Sequence, residues 1–188
     1  MILIINICKE NLHLYEFVYP IRDILIKNNI KGFIRKYDCL TKKDLEKASK
    51  VIICGTSLKD NDFLNNLDKF KWIKKFNKPT LGICGGMQII GLIYGGNLKK
   101  KREVGFYKEK FKNDFLNITK DTELEVYHLH NNYIDFSNER HFKIFSESNI
   151  DKNFPIVQAV KHNFKEIYGV LFHPEVRNKE IILNFARL

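Results

Sequence analysis

LGICGGMQIIG, residues 81–91, is the stretch that decides the fold. Its apolar beginning, Thr80–Ile83 after Pro79, predicts a buried strand. Its end, Gly85–Tyr94, predicts a helix stopped by Gly95 and Gly96. Cys84 stands at the joint, in the pattern Gly82-Ile83-Cys84-Gly85-Gly86. A sharp strand-to-helix turn strains the backbone of its central residue and projects that side chain over the strand ends. Side chains two positions before and after would collide, so glycine at 82 and 86 meets a steric need. The following helix points its N-terminus at the thiol, which favours thiolate. The Gly85 amide has no partner inside the helix and is free to face an oxyanion. Taken alone, the turn is as compatible with a structural buried cysteine as with a nucleophile. A base must accompany it.

Outward from this stretch the chain alternates. Residues 2–7 (ILIINI) form an apolar run suited to a buried strand, and residues 17–28 place Phe17, Ile21, Ile24 and Leu25 at helical spacing. Residues 32–35 can be a second strand. Thr41 with Asp44 three positions later marks a helix start. Residues 51–54 predict a third strand, and residues 60–76 a less regular helix. Short strands without polar alternation need cover on both faces, so the fold class is α/β with a central, mostly parallel sheet between helices. From 106 to 172, runs of Phe, Tyr, Val and Ile separated by Asn and Asp predict further strands, some antiparallel. Lys179–Arg187 predicts a terminal helix. No linker or repeat interrupts this pattern, so residues 1–188 are expected to form a single domain.

Composition narrows the function classes. The net charge is +10, but the lysines are dispersed and only KKKR at residues 99–102 is dense. Without basic and aromatic residues interleaved, no nucleic-acid partner is expected. No run approaches the roughly 18 apolar residues of a membrane span, and the apolar N-terminus has no basic leader. No membrane partner and a cytoplasmic location are expected. Cys8, Cys39, Cys54 and Cys84 form no CxxC pair, and the histidines lack metal-ligand spacing, so neither metal nor cofactor is expected. Cys8 reads as a small buried residue at the end of the first strand. His128 and His130 can share one strand face, but two histidines do not make a metal site.

The base lies 89 residues beyond Cys84. Residues 167–172 form an apolar run ending in His173-Pro174-Glu175. If this strand is parallel to the one before Cys84, it delivers His173 to the same sheet edge. Glu175 can then hydrogen-bond the imidazole and fix its tautomer.

With these motifs together, the sequence resembles the class I (triad) glutamine amidotransferases. GICGGMQ at 82–88 resembles their nucleophile motif, and VQAVKHNFKEIYGVLFHPEV at 157–176 resembles the approach to their His-x-Glu. The resemblance implies a flavodoxin-like glutaminase domain that hydrolyses the side-chain amide of L-glutamine through a γ-glutamyl thioester. It implies Cys84 as nucleophile, His173 as base and then acid, and Glu175 as the group that orients His173. The Gly85 and Gly55 amides would form the oxyanion hole. Gln88, Leu129 and His130 would contact substrate. Glu103-Val104-Gly105 matches a further landmark with a structural role.

The chain is too short to hold a synthetase as well, so the implied partner is a separate synthetase subunit that receives ammonia. Cys54 and Thr56 flank Gly55 where the family often has a second glycine and a proline, which predicts a differently shaped loop. Leu171 replaces a glutamine common in several branches. The first strand lacks the Gly-Gln-Tyr segment of the GMP-synthase branch. The acceptor therefore stays open among purine, pyrimidine, cofactor and amino-acid pathways. A γ-glutamyl hydrolase without ammonia transfer, and a noncatalytic regulatory module on the same fold, are the alternatives.

Overall fold

A computed structural model describes residues 1–137, 140–148 and 155–188. Strands β1 (Ile2–Asn6), β2 (Gly32–Lys36), β3 (Lys50–Ile53) and β4 (Thr80–Ile83) alternate with helices α1 (Leu14–Phe17), α2 (Tyr19–Lys27) and α3 (Lys42–Lys47). Helix α4 (Gly85–Tyr94) follows. Then come β5 (Asn97–Lys110), β6 (Glu123–Asp135), β7 (Phe142–Ser148), β8 (Ile156–His162), β9 (Ile167–Val170) and α5 (Lys179–Arg187).

Seven strands form one sheet in the order β2-β1-β3-β4-β9-β8-β7. The five strands from β2 to β9 pair in parallel, and β8 and β7 add antiparallel edges. Every residue of β1, β4 and β9 is buried, as expected of parallel strands with helices on both faces. Helix α2 packs beside α5, and α4 beside the segment Asp62–Lys74. This is the expected α/β architecture, with antiparallel strands confined to the second half.

Local chemistry explains the element boundaries. The Thr41 hydroxyl accepts a hydrogen bond from the Asp44 amide at 3.2 Å, and the Asp44 carboxylate accepts one from the Thr41 amide at 3.1 Å. That reciprocal cap starts α3. Helix α4 ends where Gly95 adopts φ 108°, with its amide and that of Gly96 donating to the Gly91 carbonyl. The helix expected over residues 60–76 is instead a 3-10 segment, Asp62–Lys74, broken at Asn66. Its buried residues Phe63, Phe70 and Ile73 would share one face of a continuous helix, but Asn66, at φ −125° and ψ 27°, interrupts it.

Strands β5 and β6 stand apart as a long antiparallel ribbon. The middle of β6 joins the main body where the His173 amide donates to the Tyr127 carbonyl at 2.8 Å. The ribbon thus supplies one wall at the C-terminal edge of the parallel strands, where open α/β sheets bind their ligands. No helix among the described residues is long and apolar enough to cross a membrane.

Candidate active site

Three chain segments converge at this edge. The first is the turn after β4. Cys84 has φ 48° and ψ −105°, a strained conformation for a non-glycine residue. A Cβ on Gly82 would lie 2.6 Å from the Gly86 backbone, and one on Gly86 would lie 2.3 Å from the Ile53 carbonyl oxygen. The glycines at 82 and 86 therefore let the turn pack against itself and against β3. The Cys84 amide donates to Val170 O at 2.8 Å, which locks the turn to β9.

The second segment follows β9. Because β4 and β9 are parallel neighbours, Cys84 and His173 emerge at the same edge. His173 Nδ1 and Glu175 Oε1 are 2.7 Å apart, and both side chains are buried. Phe17 packs on the imidazole with ring centroids 5.4 Å apart. Burial opposes charge on this imidazole, but the Glu175 carboxylate and then Cys84 outweigh it and hold the His173 pKa well above its ordinary value. Among the described residues the Nε2 atom is buried without a hydrogen-bond partner.

The third segment is the loop after β3. A Cβ on Gly55 would lie 2.5 Å from His173 Cε1 and 3.2 Å from Cys84 Cβ. Only glycine lets the backbone approach both groups this closely. The Thr56 hydroxyl donates to Asp60 Oδ2 at 2.8 Å, and the Lys9 amide donates to the same oxygen at 2.7 Å. Asp60 thereby fastens the loop to the chain after β1. Behind the loop, the Cys8 thiol donates to Gly55 O at 3.6 Å. A hydrogen bond from Cys54 lowers the Cys8 pKa, while burial pushes the Cys54 thiol well up.

Cys84, Gly85, Gln88, Leu129 and His130 line one cleft together with Thr56, Leu58 and Asn131. The Cys84 thiol donates to Leu129 O at 3.7 Å, and Gln88 Nε2 donates to Asn132 O at 2.9 Å. The space that admits water here is about 10 Å³, room for roughly one molecule. The cleft is narrow because the Asn131 amide donates to Leu58 O at 2.9 Å and Asn132 Nδ2 donates to Asn61 Oδ1 at 3.4 Å. The loop is closed over the thiol.

The structure brings every sequence-derived site residue to this edge. Sequence reasoning missed Asp60, in the loop after β3, and the Asn131-Asn132 pair within β6, because the partners of such polar side chains leave no pattern in the sequence. Chemically, the arrangement offers a thiol, a histidine with raised proton affinity, a carboxylate that fixes its tautomer, and backbone amides at a helix N-terminus. That set suits nucleophilic attack on an acyl or amide carbon, with proton transfer to the leaving group.

Residues 13–184 match the family model described as "Glutamine amidotransferase class-I". Over 178 residues the chain is 34% identical to the glutamine-hydrolysing GMP synthase subunit of Methanocaldococcus jannaschii, covering 90% of this chain and 79% of that protein. It is 33% identical to the corresponding subunit of Methanobrevibacter smithii over 57% of this chain, a match that spans only 56% of the relative. Among solved structures it resembles a protein from Thermoplasma acidophilum described provisionally as a GMP synthase subunit. There the TM-score is 0.83 at 23% identity, covering 99% of this chain and 92% of that one.

Proposed function

This chain belongs to the class I glutamine amidotransferases, and from that premise we propose that it is a glutamine-hydrolysing subunit that supplies ammonia to a separate synthetase. One observation carries the reading: the strained Cys84 turn and the His173–Glu175 pair meet at the ends of neighbouring parallel strands. In the proposed reaction, Cys84 Sγ attacks the side-chain amide carbon of glutamine and its proton passes to His173. The Gly85 and Gly55 amides bind the resulting oxyanion. His173 returns the proton to the departing nitrogen, the C–N bond breaks, and ammonia leaves a γ-glutamyl thioester. Water then attacks the thioester carbon while His173 takes its proton. Collapse releases glutamate, and the proton goes back to the thiolate. Glu175 holds His173 in the required tautomer throughout. Gln88 and the 129–130 segment bound the glutamine cleft.

The names of the relatives support the synthetase of a GMP synthase as the partner, which narrows the acceptor that the sequence left open. Residues 1–188 would act as one glutaminase unit in the cytoplasm. The test is release of glutamate and ammonia from glutamine by the purified chain, with and without that synthetase. Turnover that rises on adding the partner supports ammonia transfer. Turnover indifferent to it points to the stand-alone hydrolase. No turnover under either condition sinks the enzymatic reading.

A further inference from the structure

Behind the catalytic edge, the β5–β6 ribbon buries an unusual polar cluster. Cross-strand register places Glu103 opposite His130, and His128 lies two residues away on the same face of β6. Glu103, Glu109, His128, His130 and Gln158 are all at most 2% exposed. His130 Nε2 and Glu103 Oε2 are 2.9 Å apart. His128 Nδ1 is 3.2 Å from the former and 3.8 Å from the latter. A triangle with these sides has a circumscribed radius of about 2.0 Å. One point therefore lies at zinc–nitrogen and zinc–oxygen bonding distance from all three atoms at once.

We propose that Glu103, His128 and His130 form a structural zinc site that clamps β5 to β6. Three further observations support it. The other ring nitrogen of His128, Nε2, lies 3.3 Å from Glu109 Oε1. A carboxylate on the far nitrogen of a ligating histidine fixes its tautomer and raises its basicity. Glu103 Oε1 is buried without a partner among the described residues, and is available as a second oxygen from the same carboxylate. Gln158 Nε2 donates to Glu103 Oε2 at 3.0 Å and orients it.

Leu129 sits between the two histidines, and its carbonyl receives the Cys84 thiol. The clamp would stiffen the strand that supports the catalytic edge, with His130 also standing in the wall of the cleft.

The experiment is zinc binding by the full chain after chelation and re-addition, read by metal analysis, cobalt substitution and melting. We expect one zinc per chain. Cobalt should give tetrahedral d–d absorption without thiolate charge transfer, because no cysteine is a ligand. At about 100-fold over Kd, zinc should raise Tm by roughly 5–10 °C. Glu109→Gln keeps the cluster's shape and should weaken zinc binding about 10–100-fold. His128→Ala should lose stoichiometric zinc. Cys84→Ser should bind zinc as wild type does, which separates this site from the catalytic thiol and from any outcome of the glutaminase assay. A wild-type chain that takes up less than a tenth of an equivalent, a cobalt spectrum with thiolate character, or undiminished affinity in Glu109→Gln would each overturn the site.

Discussion

At Cys84 the backbone holds φ 48°, a conformation that costs about 1–3 kcal/mol and persists only where the surroundings enforce it. Enforcement comes from Gly82 and Gly86, which permit close packing, and from the bond to Val170 O. Gly86→Ala must push a methyl into the Ile53 carbonyl. Overpacking of this kind costs about 1–3 kcal/mol, so the variant should melt several degrees below wild type. An unchanged Tm would mean that the turn relaxes freely.

The thiol itself is tested by Cys84→Ser, which should abolish glutamine hydrolysis with the fold intact. A glutamine-mimicking electrophile such as diazo-oxo-norleucine should label Cys84 and not Cys8 or Cys54. Cys8 is the informative control, because its pKa is lowered while its thiol faces Gly55 O behind the loop. For the base, Glu175 is the largest influence raising the His173 pKa. Glu175→Gln should lower that pKa, moving the acidic limb of the kcat/KM profile to lower pH, because His173 must be unprotonated to accept the thiol proton. It should also cost less activity than His173→Ala, since Glu175 orients the ring and carries no transferred proton. The linked stability has a definite sign. A histidine whose native pKa is raised adds stability in full below its unfolded value of about 6.5, and that stability is lost as pH rises through the native value. Melting against pH should therefore show this loss at lower pH in Glu175→Gln than in wild type.

At the scale of elements, the loop between β3 and the Asp62–Lys74 segment lines the cleft beside Cys84. Its fastening to β6 includes the bond from Asn131 to Leu58 O. A hydrogen bond of this type contributes about 0.5–1.5 kcal/mol net, a factor of roughly 2–10 in an equilibrium. Asn131→Ala should open the loop more often and speed alkylation of Cys84 by about that factor. An unchanged alkylation rate would show that Asn131 does not hold the loop shut. The Thr56–Asp60 bond should hold the other side of the same loop, next to Gly55. Docking of a synthetase that reshapes this loop offers a physical route to activation, because loss of one oxyanion donor costs about 10²–10³ in rate.

At the scale of the whole molecule, that activation needs a surface for the partner. Lys100, Lys101 and Arg102 are exposed on a bulge of the ribbon, whereas Lys99 is paired with Asp135. Neutralising residues 100–102 should weaken assembly with the synthetase and make it less salt-sensitive, while basal hydrolysis stays the same. Binding isotherms at low and high salt decide it, and equal affinities for variant and wild type would remove this surface from consideration.

The sequence by itself determined the elements whose causes are local. Periodicity set the strands and most helices, a reciprocal cap set α3, and a glycine stop set α4. The turn around Cys84 was legible because steric crowding between residues two apart leaves few residue types to choose from. His173 and Glu175 were legible because they end an apolar run. Tertiary structure alone decided what meets across distance. Parallel pairing of β4 with β9 brings His173 to Cys84, and strand pairing leaves little trace in either strand's composition. Register across the β5–β6 ribbon likewise places Glu103 against His130, although Glu103 read only as a structural landmark and the two histidines as an incomplete set. The loop over the thiol is held by isolated polar side chains, Asn131 and Asp60, whose partners are carbonyls and amides. Backbone groups are the same at every residue, so a sequence cannot announce which of them a side chain will reach.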